Sequence, residues 1–217
     1  SEMCIRDRFG GMMANFLLIF YIASACIDSY ASEHNMMRNF KLFLMPALMA
    51  YLSFHANHDV LLYIALLLSW AGDVYLINKT KKNYQLGLIS FMLAHISYGI
   101  YFIHPLPLTS IMFWVGVLLY GIAGCLYLKL ILPVVPASFK KATIVYMITI
   151  LFMSLMAYVN MIKTMNILSW HGSIVFLISD TLLSYQTYTK SPQRGVMETY
   201  SIAQLLIVLG VIYASGV

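Results

Sequence analysis

The chain has 217 residues, of which 61% are hydrophobic and only 10% charged, against about 25% charged in an ordinary soluble domain. With a mean hydropathy of +0.82 it carries more apolar surface than a water-soluble fold of this size can hide, and it falls in the membrane class, where each helical span needs about 20 mostly apolar residues. Its net charge of +5 is spread over short connections with no basic, aromatic-interleaved face, which argues against nucleic acid as a partner. Cys4, Cys26 and Cys125 form neither a CxxC pair nor an even disulfide framework, so redox and metal-thiolate chemistry have no support.

Residues 1 to 8 hold four charges and contrast with all that follows. They are set aside as a non-native or disordered leader, leaving a single transmembrane domain over 9–217. Apolar runs bounded by charges, proline or polar clusters then fall at about 9–28, 40–54, 60–78, 84–103, 111–132, 141–162, 168–188 and 196–216. The expected fold is therefore an all-α polytopic bundle of about eight transmembrane helices. The second run is short for a full crossing.

The first run ends in Ala23-Ser24-Ala25 before Cys26, which could be read as a cleavage site, but the charges argue otherwise. Arg38 and Lys41 lie between runs 1 and 2, Lys79, Lys81 and Lys82 between 3 and 4, Lys129, Lys140 and Lys141 around the 5–6 connection, and Lys190 and Arg194 between 7 and 8. Against these ten, the opposite side has only Lys163 once the leader is set aside. That asymmetry puts the odd-to-even connections in the cytoplasm and both termini outside, as expected for an integral protein of a bacterial inner membrane.

Two acids sit within runs rather than at their ends: Asp73 in Ser69-Trp70-Ala71-Gly72-Asp73 and Asp180 in Phe176-Leu177-Ile178-Ser179-Asp180. An intramembrane carboxylate costs about 2.5 to 3.5 kcal/mol on insertion scales, so each is a functional candidate by default. Asp73 lies five residues before Asn78 and Asp180 ten before Lys190, which places both in the cytoplasmic half of their spans, able to share a cavity. Ser69 is one turn from Asp73, and Ser169, Ser173, Asp180 and Ser184 form a stripe on run 7. Gly87, Phe91, His95 and Tyr98 share a face of run 4, and Tyr200 and Gln204 stand one turn apart in run 8. Lys41 enters run 2 from the same side as a candidate counter-ion or phosphate contact.

Simpler roles compete. A membrane serine usually bonds back to its own helix, a lone histidine is often a packing residue, and His55, His58 and Asp59 spell HxxHD in an external loop without a third well-placed ligand. No metal or cofactor is expected. Asp73 and Asp180 occupy the third span of successive four-span halves, which suggests a parallel 4+4 pseudo-repeat.

Taken in order, Gly72-Asp73, Gly87, Phe91-Met92-Leu93-Ala94-His95, Tyr98, Gly172, Phe176, Ser179-Asp180, Tyr200 and Ala203-Gln204-Leu205-Leu206 resemble the YhhN-like lysoplasmalogenase family of eight-span membrane proteins. The likeness covers nearly the whole chain, with Lys41-Leu42 standing where the family often has Lys-Pro. It implies hydrolysis of the vinyl ether bond of a lysoplasmalogen or related lysolipid, with Asp73 and Asp180 as the acid/base pair. Ser69, His95, Tyr98, Ser179, Tyr200 and Gln204 would then be supporting residues, and Lys41 a contact for the head-group phosphate. The partners implied are a lysophospholipid substrate and the lipid bilayer.

Two acids suit that chemistry. An enol ether is cleaved by protonation of its β-carbon, capture of the oxocarbenium ion by water and collapse of the hemiacetal to an aldehyde, in parallel with glycoside hydrolysis. The competing reading is a proton-coupled small-molecule or lipid transporter with Asp73 and Asp180 as a relay, although the runs lack the Gly/Pro breaks usual at transport sites. An intramembrane aspartyl protease fits less well, since the motif is Trp70-Ala71-Gly72-Asp73 rather than GxGD; a scaffold role leaves the two acids unexplained.

Overall fold

The computed structural model describes residues 2–33, 40–55, 59–78, 80–192 and 194–214, with side chains from 10 to 31 in the first helix. Among the described residues there are eight α-helices: α1 (Glu2–Glu33), α2 (Lys41–Ser53), α3 (Val60–Ile77), α4 (Lys81–Tyr101), α5 (Ile111–Ile131), α6 (Lys140–Thr164), α7 (Ile167–Thr189) and α8 (Val196–Ala214), with a 3₁₀ turn at Ala137–Phe139. Arg38, His58 and Lys79 lie outside the described residues.

Among the described residues, six helical segments are long and apolar enough to cross a membrane. The others differ for physical reasons. The 13 residues of α2 span about 20 Å at 1.5 Å per residue, less than the hydrocarbon core. The 21-residue α4 has the length but turns Ser90, His95, Ser97 and Tyr98 into the bundle, which lowers its hydropathy. The outward surface is apolar, with Phe16, Ile19, Ile111, Leu118 and Leu126 all exposed, the inverse of a soluble protein and the pattern expected of an integral membrane bundle.

Local chemistry sets the helix ends. Asp59 caps α3 by accepting from the Leu61 N–H at 2.9 Å, Thr80 caps α4 through the Asn83 N–H at 3.2 Å, and Asn166 caps α7 through the Leu168 N–H at 3.1 Å, each filling one of the free donors of a first turn. Asp59 of the HxxHD segment is thus accounted for as a cap, and His55, just past the end of α2, has its Nδ1 3.0 Å from the Tyr51 carbonyl.

Inside α2, Pro46 has no N–H to give the Leu42 carbonyl one turn before it. The Trp70 indole N–H of α3 donates to that oxygen at 3.0 Å, which satisfies it where water is scarce. Trp70→Phe should therefore cost about 1 to 2 kcal/mol in a detergent unfolding titration, the scale of an orphaned buried carbonyl.

The helices form a ring in which α2 packs on α3, α3 on α4, α4 on α6, α6 on α7, α7 on α8 and α8 on α2; α1 lies against α2 and α8, and α5 against α6 and α7. Every ring contact recurs when each helix is exchanged for the one four places on. The outer contacts repeat in part, since α1 on α2 matches α5 on α6 whereas α1 on α8 has its counterpart replaced by α5 on α7. This is the neighbour pattern expected of a 4+4 repeat.

The two tightest pairs, α3–α4 and α7–α8, close over glycine. A Cβ at Gly72 would stand 2.6 Å from the Phe91 ring, and one at Gly172 would stand 2.8 Å from the Ile207 nitrogen and 2.9 Å from the Ala203 carbonyl. A ring can shift, whereas a backbone cannot move without its helix. Gly172→Ala should thus lower stability by about 1 to 3 kcal/mol and Gly72→Ala by less, as read from paired thermal melts; the reverse order would contradict this packing.

Candidate active site

Asp180, on α7, is 6% exposed and Asp73, on α3, is 3% exposed. Both border one cavity of ≈ 780 Å³, within the usual size of a small-ligand site. Its wall comes from the start of α2 and α4, the end of α3 and α7, the 3₁₀ turn and the start of α8. It therefore opens at the end of the bundle where the odd-to-even, lysine-rich connections lie.

Asp180 is held from two helices. The Tyr146 hydroxyl of α6 donates to Asp180 Oδ2, and His95 Nε2 of α4 lies 2.9 Å from the same oxygen and 3.1 Å from the Tyr146 hydroxyl. His95 is fully buried, and its Nδ1 meets no hydrogen-bond partner among the described residues. A neutral imidazole carrying its proton on Nε2 toward the carboxylate leaves only a lone pair unmatched at Nδ1. That is less costly than an orphaned N–H.

Asp73 is reached across the ring from α8, where the Tyr200 hydroxyl donates to Oδ2 at 2.8 Å. The α3–α8 link at Asp73 and the α7–α4 link at Asp180 are counterparts under the four-helix exchange. An aromatic wall joins the two centres: Phe176 packs against His95 at 4.7 Å and against Tyr200 at 5.5 Å, and Phe91 packs against Tyr200 at 5.8 Å.

The remaining sequence candidates divide by depth. Lys41 and Ser179 border the cavity with the two acids and Tyr200; the Ser179 hydroxyl donates to the Val196 carbonyl at 3.1 Å and ties α7 to the start of α8. Ser69, Tyr98 and Gln204 do not border it. They form a buried chain beneath Asp73, in which Tyr98 donates to Gln204 Oε1 at 2.6 Å and Gln204 Nε2 donates to the Ser69 hydroxyl at 3.0 Å. That chain locks α4, α8 and α3 together and so sets the height of Asp73. In the run 7 stripe, Ser173 shares a hydrogen bond with Ser154 of α6 at 2.8 Å, and Ser169 donates to the Ile207 carbonyl of α8 at 3.2 Å.

Two residues of the site escape sequence reasoning. Tyr146 is one of two phenols in its apolar run, with Tyr158, and only the packing of α6 on α4 and α7 reveals its target. Asp28 reads as the end of the first run, yet α1 continues to Glu33, and Asp28 is fully buried. Its Oδ1 accepts the backbone N–H of Lys41 at 3.1 Å. Phe40, at the N-cap of α2, offers no side-chain cap, so an aspartate of the preceding helix fills that place and fixes where Lys41 enters the cavity. A charge count toward the end of the run, where the helix continues, was the available signal.

No solved structure matches the chain. It is similar to lysoplasmalogenase TMEM86A of Homo sapiens, at 24% identity over 181 residues that cover 79% of this chain and 72% of that protein. The YhhN family matches residues 36–211, from the approach to α2 through most of α8 and with both carboxylate centres inside the match. The chain belongs to the YhhN family.

Proposed function

We propose that this chain is a membrane-embedded hydrolase that cleaves the vinyl ether bond of a lysoplasmalogen or related lysolipid to a fatty aldehyde and a glycerophospho-alcohol. The observation that carries the reading is the pair of buried carboxylates, Asp73 and Asp180, on one cavity that opens at the end of a membrane bundle. The similarity to a human lysoplasmalogenase supports it.

In this mechanism one carboxylic acid delivers a proton to the vinyl β-carbon, and the other, ionised, faces the oxocarbenium ion and takes a proton from the attacking water. Two groups, Tyr146 and His95, converge on Asp180 Oδ2, an arrangement that suits the ionised member. Delivery to carbon then falls to Asp73, beside Tyr200. Phe91 and Tyr200, the two rings of the aromatic wall that line the cavity, are suited to stabilise the cation that forms between the two acids. Lys41, at the cavity edge, is suited to the phosphate.

The cavity is proposed to open to the cytoplasm, with both termini on the other side. The reaction is tested by incubating the detergent-purified protein with a vinyl ether lysolipid and with its saturated ether analogue, and assaying aldehyde. Aldehyde from the first alone is expected. Aldehyde from neither, with the protein folded, would turn the reading toward a proton-coupled transporter.

A further inference from the structure

Behind Asp180, between its depth and the lysine-rich end of the bundle, several helices bring a group of hydroxyls together. Tyr127 lies near the end of α5, Tyr84 near the start of α4, and Ser184, Thr187 and Tyr188 along the last turns of α7. Tyr84, Tyr127 and Tyr188 pack into one apolar cluster with Ile131, Phe139 and Met147, where a polar atom has little else to bond. The hydroxyls of Tyr84, Tyr127 and Thr187 are shut off from solvent without a well-formed hydrogen bond among the described residues. Tyr127 stands beside the Ser184 hydroxyl, and Tyr84 beside those of Tyr188 and Thr187, near but not bonded. Tyr188 makes only a long contact, at 3.4 Å, with the Thr143 hydroxyl of α6.

Buried hydroxyls left unbonded are costly, and proteins satisfy such groups with ordered water, which bonds about three of them at once. This group leads to the site. Tyr146, which donates to Asp180 Oδ2, is within electrostatic reach of Tyr127 and Tyr84, and Tyr127 is within reach of Asp180. Along α7, Ser184 is four residues beyond Asp180 and Tyr188 eight, steps of about 6 and 12 Å toward the helix end. Tyr84, Thr187 and Tyr188 also stand in the cavity wall, whereas Tyr127, Tyr146 and Ser184 lie behind it.

A bound lysolipid fills the cavity and its mouth, yet the base has to lose the proton it takes from the attacking water before it can act again. We propose that ordered water joins these hydroxyls into a proton path that runs from Asp180 through Tyr146, Tyr127 and Tyr84 to the lysine-rich end of the bundle. The proposal rests on the reading of Asp180 as the base. Asp180 hands its proton to the Tyr146 oxygen as the Tyr146 O–H gives its own to the adjacent water. Water and hydroxyls repeat the exchange outward, so one proton leaves per turnover and Asp180 is again a carboxylate. Nothing is oxidised or reduced, and the proton departs while the products still occupy the cavity.

Rapid-quench kinetics of aldehyde release separate this role from packing. In Tyr127→Phe the first turnover should stay within about twofold of the wild-type rate, because the groups at Asp73 and Asp180 are intact. Later turnovers should slow roughly tenfold, the scale of one lost hydrogen-bonded link, so aldehyde appears in a burst equal to the amount of protein. Tyr84→Phe should behave in the same way. Each change keeps the ring and removes a hydroxyl that has no protein partner, so thermal melts should match the wild type. The water is read by radiolytic hydroxyl labelling of the full-length protein in detergent, which marks side chains next to ordered water. Tyr84 and Tyr127 should be labelled, and Tyr98, whose hydroxyl is held by Gln204, should not.

Unlabelled Tyr84 and Tyr127, a steady-state rate unchanged in both variants, or a first turnover slowed as much as the later ones would overturn the path. The two claims fail separately. Aldehyde release without a burst in either variant removes the path and leaves the hydrolase. Labelled phenols in a folded protein that releases no aldehyde remove the hydrolase and, with it, the proton the path would carry.

Discussion

Asp73→Asn and Asp180→Asn should each lower vinyl ether cleavage by about 10²-fold or more, the usual scale for losing a general acid or base, while expression and thermal stability stay near those of the wild type. The amide matches the carboxylate in size and costs less to bury than a charge. In Asp73→Asn the amide oxygen can still accept from Tyr200, and in Asp180→Asn it can still accept from Tyr146, so the hydrogen bonds seen at Oδ2 need not break. Because the two acids hold different tasks, the double variant should be no more active than the weaker single variant. Activity above a tenth of wild type in both single variants would refute the pairing.

Removing the groups that hold Asp180 should be the next largest effect. Tyr146→Phe and His95→Ala each delete a partner of Oδ2, and a hydrogen bond to a charged group contributes about 1.5 to 3 kcal/mol, so each should cut kcat roughly 10- to 100-fold with little change in KM. Since both act through the same oxygen, their effects should not add: the double variant should lose less than the product of the single losses. Tyr98→Phe, in the buried chain with Gln204 and Ser69, touches neither carboxylate and should lower stability before it lowers kcat. A larger kcat loss for Tyr98→Phe than for Tyr146→Phe would place the chemistry elsewhere.

Much of this architecture is legible in the chain before folding, because lipid imposes long apolar runs and the charges between them mark the ends. The run expected at 60–78 is a helix over Val60–Ile77, and the run at 168–188 a helix over Ile167–Thr189. Asp73 and Asp180 stand out for the same reason: a carboxylate well inside such a run is costly to bury and so is a functional candidate by default. What spacing along one helix cannot supply is the partner on another. Tyr146 meets Asp180 only through the packing of α6, and Gln204 turns out to brace Ser69 and Tyr98 rather than face the cavity. Asp28 was obscured by its place near the end of an apolar run, where an acid usually meets water. The helix instead continues past it, and the charge is used to start α2.

The measurement that bears most directly on the two-carboxylate mechanism is hydrolysis of a vinyl ether lysolipid in D₂O, with the aldehyde trapped at once and analysed by mass spectrometry. Protonation of the β-carbon by an enzyme acid in exchange with solvent places one deuterium at the aldehyde α-carbon in every turnover. The account predicts a singly labelled aldehyde, formed more slowly than in H₂O, and its disappearance in Asp73→Asn. An aldehyde released without that deuterium would contradict it.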